Sequence, residues 1–182
     1  MGREKAFETL HGQTVLQRVI TCVAGQVQRV IINSNGDPAR FRATSCPVIH
    51  DIRTDIASPL AGLHAALVYA NRENFDAVLT VPSDVPFLPQ DLAVRLQQAG
   101  RGAAIAASGG QPHYLTGLWE RDLLSRIEKA LQQHSLPRLQ DWAWHCDAAV
   151  VDWPMSPYDP FFNVNTPAEL AEAERNAAEF SL

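Results

Sequence analysis

Phe75-Asp76-Ala77-Val78-Leu79-Thr80-Val81, followed directly by Pro82-Ser83-Asp84-Val85-Pro86, is the stretch on which the fold of this 182-residue chain turns. Its first seven residues are a nearly continuous apolar run, the pattern of a strand buried on both faces of a parallel sheet. Proline removes a backbone donor and fixes φ, so the pair at 82 and 86 ends the strand and stiffens the loop that carries Asp84. Just upstream, Leu60, Leu63, Ala66, Leu67 and Ala70 recur at helical spacing behind Ser58-Pro59. Further upstream, residues 27–32 form a β-branched run cut by Asn33-Ser34-Asn35-Gly36-Asp37-Pro38, residues 47–49 form a short apolar run stopping at His50-Asp51, and Val15, Leu16, Val19, Ile20 and Val23 mark a helix closed by Gly25.

Downstream, the pattern predicts a helix over 90–99, strands over 103–107 and 114–119 separated by a turn at Ser108-Gly109-Gly110, and a helix through Leu123, Leu124, Ile127 and Leu131. A helix over 137–144, a strand over 148–153 and a final Ala/Glu-rich helix to about Phe180 complete the chain. Strands alternating with helices make right-handed βαβ units, so the expected class is α/β: three layers with a mostly parallel sheet covered on both faces.

The composition is that of a globular protein, 46% apolar and 19% charged, and its length fits one domain over residues 1–182. The net charge of −5 is the wrong sign for neutralising nucleic-acid phosphates over a broad face. Thirteen of the fifteen cations are Arg, and Lys5 and Lys129 are the two lysines. Cys22, Cys46 and Cys146 are odd in number and too far apart for a Cys-x-x-Cys pair, which points to reduced thiols in the cytoplasm. No apolar run approaches the ~18 residues of a membrane span, and Met1-Gly2-Arg3-Glu4-Lys5 precedes no signal-peptide core.

In open α/β sheets ligands lie beyond the carboxyl ends of the strands. Asn33, Asp51 and Asp84 stand at such ends. Each also suits a plain turn, because Asn and Asp side chains bond their own backbone. Asp84, between two prolines after a buried strand, fits a hard divalent cation such as Mg²⁺. The small residues of Ser58-Pro59-Leu60-Ala61-Gly62-Leu63 either cap and pack a helix or let its backbone approach a ligand. Asn163 and Asn165 alternate with Val164, so in an extended segment both amides face one way; the competing reading is that they cap the helix entered at Pro167. His113 and Tyr114 read as packing residues of a strand, and the four tryptophans as core, with Trp142 or Trp144 able to border a pocket for a flat ligand. No nucleophile motif and no Gly-x-Gly-x-x-Gly is present.

Asp84-Val85-Pro86-Phe87-Leu88-Pro89, the Ser58 block, and Phe162-Asn163-Val164-Asn165-Thr166-Pro167 before Glu169-Leu170 resemble, in order and spacing, the molybdenum cofactor guanylyltransferases (MobA family). Met1-Gly2-Arg3-Glu4-Lys5-Ala6 looks like the tail of that family's N-terminal signature, Leu-Ala-Gly-Gly-x-Ser-x-Arg-Met-Gly followed shortly by Lys. The resemblance implies a Rossmann-like nucleotidyltransferase fold and Mg²⁺-dependent transfer of GMP from GTP to molybdopterin, with release of pyrophosphate. It implies that Lys5 and Asp84 are catalytic, that Lys5, Asn33, Asp51 and Asp84 contact GTP, that Asp84 binds Mg²⁺, and that Asn163 and Asn165 border the molybdenum cofactor. Molybdoenzymes or their chaperones are the implied protein partners.

The sequence departs from the family at two points. Ser58 stands where the family has Gly, and the chain starts inside the signature, so the family's first strand and Gly-rich turn are expected from in-frame DNA upstream of Met1. Without that strand, two interior strands keep unpaired backbone groups, each costing ~1–3 kcal/mol if buried. Two alternatives remain at this point: a cytidylyltransferase acting on the same cofactor, and a truncated, non-catalytic nucleotide- or cofactor-binding partner of molybdoenzymes.

Overall fold

The structure is a computed structural model that describes residues 5–56, 58–100, 102–133 and 138–180. After a 3-10 turn at Lys5–Phe7, β1 (Thr9–Leu10) and β2 (Gln13–Thr14) form a small antiparallel hairpin. Helix α1 (Val15–Ala24) starts where the Thr14 hydroxyl accepts from the Gln17 amide at 3.1 Å, and it buries Val15, Leu16, Val19, Ile20 and Val23. Strands β3 (Ile32–Asn33) and β4 (Val48–Ile49) pair in parallel, and a 3-10 segment, Pro38–Thr44, joins them. The strand expected over 27–32 contracts to Ile32–Asn33, the part that lies against β4.

Helix α2 (Pro59–Glu73) is capped as its sequence predicts: the Ser58 hydroxyl accepts from the Leu60 amide at 3.3 Å and Pro59 fills the first helical position, where no N–H is needed. Next come β5 (Ala77–Thr80), α3 (Leu92–Gln98), β6 (Ala103–Ser108), β7 (Gln111–Glu120), α4 (Leu124–Gln132), α5 (Leu139–His145), β8 (Ala149–Trp153) and α6 (Pro167–Phe180). Pro137, the expected start of α5, and Met1 to Glu4 lie outside the described residues.

The larger sheet has the order β5-β7-β6-β8. β6 and β8 are parallel, and β7 is antiparallel to both of its neighbours, so β5, β6 and β8 point the same way and β7 alone reverses. One face packs under α2, α4 and α5 through Leu60, Leu67, Ile105, Trp119, Ile127 and Trp142. The other packs under α1 and α3 through Val19, Val23, Leu92, Leu96, Ala104 and Ala106. These are the three layers expected of an α/β fold.

Two expectations change, and one ladder is irregular. β6 is buried along its whole length, but all four residues of β5 are half-buried, because β5 pairs with β7 on one edge and has no strand partner on the other among the described residues. Trp119, Trp142 and Trp153 are core, whereas Trp144 is 61% exposed and meets Tyr114 edge-on at 6.4 Å. The β6–β7 ladder also slips: Ile105 faces Gly117 but Ala106 faces His113, so Tyr114, Leu115 and Thr116 bulge out of register. Such a bulge bends a strand and re-aims its side chains. No helix of the described residues is long and apolar enough to cross a membrane.

Candidate active site

Two groups of polar residues gather at the carboxyl ends of the parallel strands. In the first, at the ends of β3 and β4, the Asn33 side-chain amide donates to Asp51 Oδ1 at 3.1 Å and the Asn35 amide donates to Asp51 Oδ2 at 2.7 Å. The Asp51 backbone N–H in turn donates to Asn35 Oδ1 at 2.9 Å. The expected pair of Asn33 and Asp51 is thus brought together, and Asn35, which turn composition alone did not single out, braces it. Helix α2 runs close behind: a Cβ added at Gly62 would sit 3.1 Å from Asn33 Oδ1 and 3.6 Å from Asp51 Oδ1. Gly62 is therefore where the small-residue block lets a helix backbone approach polar side chains.

The second group lies beyond β5. The Asp84 backbone carbonyl accepts from the Val164 amide at 2.9 Å, which joins the Asp84 loop to the segment that carries both asparagines. Val164 is buried, Asn163 exposed and Asn165 half-buried, the alternation its sequence predicts. The capping of α6 falls to other atoms: the Thr166 hydroxyl accepts from the Glu169 amide at 3.2 Å, and the Glu169 carboxylate accepts from the Asn165 backbone amide at 2.7 Å. Thr166 and Glu169 form a capping arrangement, and neither asparagine side chain serves as the cap in it.

Asn163 lines a cleft of about 230 Å³ with Pro82, Val85, Phe161 and residues 113–116 of β7. Because β7 runs against its neighbours, its first half lies at their carboxyl ends, and the bulge forms one wall of this cleft. His113, read from sequence as packing, belongs to that wall: its ring lies 4.8 Å from Phe161, and its Nε2 is 2.8 Å from Ser108 Oγ. Burial pulls the His113 imidazole below its ordinary range, against the opposing pull of Asp159, and so favours the neutral ring. Sequence held a usable signal here. Gly109 and Gly110 both have positive φ (55° and 77°), the geometry of a two-residue hairpin, and hairpin parity puts Ser108 and His113 on one face as diagonal neighbours.

A second cavity of similar volume, about 230 Å³, opens at the amino ends of β5 and β6 beside Asp76, Glu120 and Asp122. That is the end of an α/β sheet away from its ligand crevice. The side chain of Lys5 lies outside the described residues. No group of three or more His, Cys, Asp or Glu able to hold a metal occurs among the described residues. A single carboxylate such as Asp84 still matches Mg²⁺, which keeps several waters and takes further oxygens from substrate phosphates.

Residues 1–149 match the model of the MobA-like NTP transferase domain. The chain belongs to that family. MobA-like relatives include the molybdenum cofactor guanylyltransferase of Nitrobacter hamburgensis, 41% identical over 97% of this chain and 88% of the relative, and that of Acidiphilium cryptum, 38% identical over 95% of this chain and 86% of the relative. Among solved structures, the molybdopterin-guanine dinucleotide biosynthesis protein A of Archaeoglobus fulgidus superposes with a TM-score of 0.69 at 23% identity, covering 98% of this chain and 92% of that one. The 2-C-methyl-D-erythritol 4-phosphate cytidylyltransferase of Thermus thermophilus superposes with a TM-score of 0.67 at 17% identity, covering 96% and 94%. These likenesses establish the nucleotidyltransferase fold, and the MobA-like domain is a nucleotidyltransferase domain.

Proposed function

We propose that this chain transfers GMP from GTP to molybdopterin, giving the guanine dinucleotide form of the molybdenum cofactor and pyrophosphate, in one nucleotidyltransferase-like domain in the cytoplasm. The observation that supports the reading is the presence of two separate regions at the strand ends, the Asn33–Asn35–Asp51 cluster and the cleft lined by Asn163 next to the Asp84 loop. A bisubstrate transferase needs such a division. In this assignment Asn33, Asp51, Asp84 and Lys5 contact GTP, Asp84 holds Mg²⁺, and Asn163 and Asn165 border molybdopterin.

A terminal phosphate oxygen of molybdopterin attacks the α-phosphorus of GTP; one P–O bond forms as the α–β bridge breaks, and pyrophosphate leaves with the electron pair. The attacking phosphate is already ionised at neutral pH, so catalysis rests on alignment and charge stabilisation with no general base. Bound Mg²⁺ supplies positive charge to the phosphate oxygens. The chain supplies order: two amides fix the Asp51 carboxylate, the Val164 amide pins the loop that carries Asp84, and Lys5 adds a cation to the phosphates. The test is pyrophosphate release with molybdopterin and Mg²⁺, measured with GTP and CTP in parallel. Release with GTP and little with CTP is expected; a CTP preference, or cofactor binding without any release, would overturn the proposal.

A further inference from the structure

Thr116 lies in the β7 bulge, is 1% exposed, and lines the cleft, yet its hydroxyl has no hydrogen-bond partner among the described residues. An orphaned buried hydroxyl destabilises the fold, and Val would fill the same space without that cost. Across the same wall, Ser108 Oγ, itself 2% exposed, engages His113 Nε2 and leaves His113 Nδ1 as the ring's other polar atom. The rest of the wall is apolar or aromatic apart from the Asn163 amide: Pro82, Val85, Tyr114 and Phe161, with Leu115 at the lip. Among the described residues no Lys or Arg lines the cleft, which suits an uncharged group better than a phosphate.

We propose that the β7 bulge is the specificity element for the second substrate, with the Thr116 hydroxyl and the His113 imidazole hydrogen-bonding the edge of its planar pterin ring while Phe161 meets its apolar surface. The inference rests on the guanylyltransferase reading, which supplies the pterin as the planar group. The size agrees: about 230 Å³ falls below the ~300–1,000 Å³ of sites for whole drug-sized ligands, so the cleft takes one ring system and leaves the phosphate outside, toward Asp84. The Asp84 loop and the Asn163 segment are hydrogen-bonded to each other, so a ring held here lies beside the loop that carries Asp84. Thr116 and His113 are positioning residues that select the acceptor; neither exchanges a proton with it.

The experiment is calorimetric titration of Thr116→Val, Thr116→Ser and wild type with molybdopterin and, separately, with GTP, alongside steady-state kinetics and melting curves. Thr116→Val is expected to lose about five- to tenfold in molybdopterin affinity, the worth of one hydrogen bond, with GTP affinity unchanged and a melting temperature equal to or above wild type. Thr116→Ser, which restores a hydroxyl, recovers most of the lost affinity. His113→Phe, which keeps the aromatic contact with Phe161, shows the same loss for molybdopterin alone. Unchanged molybdopterin binding in a well-folded Thr116→Val overturns this inference and leaves the guanylyltransferase reading standing. A loss confined to GTP would place the guanine ring in the cleft and overturn it too. A wild-type chain that neither binds nor uses molybdopterin overturns both.

Discussion

Replacing Gly62 by Ala separates stability from function with opposite signs. Gly62 lies inside α2, where Ala is favoured over Gly by about 1 kcal/mol, and it has an ordinary helical conformation that Ala can adopt. The new methyl would sit 3.1 Å from Asn33 Oδ1 and 3.6 Å from Asp51 Oδ1. The first distance is too tight for a carbon against an oxygen, so Asn33 must shift by a few tenths of an ångström. Asn33 is exposed and free of dense packing, so it yields, and the helix keeps most of its gain. For a chain of this length, 1 kcal/mol is about 2–4 °C, so the melting temperature should hold or rise by up to that amount. The displaced amide loses its 3.1 Å bond to Asp51 and misaligns the carboxylate assigned to GTP. Between two largely exposed side chains that bond adds little to fold stability, but the misaligned carboxylate should lower GTP affinity by about fivefold, or about 1 kcal/mol. Scanning calorimetry and GTP titration on the same preparation read both quantities. Unchanged GTP affinity would refute the close approach of α2 to a nucleotide site, and a melting temperature several degrees lower would refute the claim that Asn33 yields to the new methyl.

Asp84→Asn should remove most Mg²⁺-dependent transfer while the fold persists, since a lost metal ligand forfeits several kcal/mol of charge stabilisation; turnover and Tm measured across a Mg²⁺ titration decide it. Glu169→Ala should cost about 1 kcal/mol through the α6 cap and lower Tm without changing GTP affinity, whereas Asn163→Ala should weaken molybdopterin binding with Tm unchanged; titration and melting of the two variants side by side check the contrast. His64, buried in α2, is pulled below the ordinary imidazole range chiefly by burial, aided by Arg53 and opposed by Glu128 3.9 Å away. The unfolded chain therefore binds that proton first, and stability present above the unfolded pKa of about 6.5 falls as pH drops through it toward the folded value. His113 shifts in the same direction, so His64→Leu should flatten part of the Tm decline between about pH 7 and 5, measured by melting across that range.

The helices and the alternation of the fold were legible because apolar periodicity records burial: the stripe from Val15 to Val23 and the Ser58-Pro59 cap appear in the structure as read. The direction of β7 was not, since an apolar run looks the same in a parallel and an antiparallel ladder. The half-burial of β5 was hidden for a related reason: a sequence run reports what a strand can bury, while the pairing of its edges sets what it does bury. Among the candidate site residues, Asn33, Asp51 and Asp84 stand out because strand ends and turn residues coincide there, and Asn163 and Asn165 through the family motif they resemble. Asn35 does not differ in sequence from the other turn residues around it, and a lone Thr in a strand, such as Thr116, carries no signal. Only the register slip between Ile105 and Ala106 turns it into the cleft, and no local preference in Tyr114-Leu115-Thr116 encodes that slip.

The central chemical claim is direct transfer: the acceptor phosphate attacks GTP without an enzyme-bound guanylyl intermediate. Ser108 and His113, 2.8 Å apart, supply a competing arrangement, a Ser–His pair whose histidine lines the cleft, although Ser108 is only 2% exposed. The stereochemistry at the α-phosphorus decides between them. With the single diastereomer Sp-GTPαS as donor and molybdopterin as acceptor, one in-line displacement inverts the configuration in the dinucleotide product. The account predicts inversion; retention would mean two displacements through a guanylylated side chain and would contradict it.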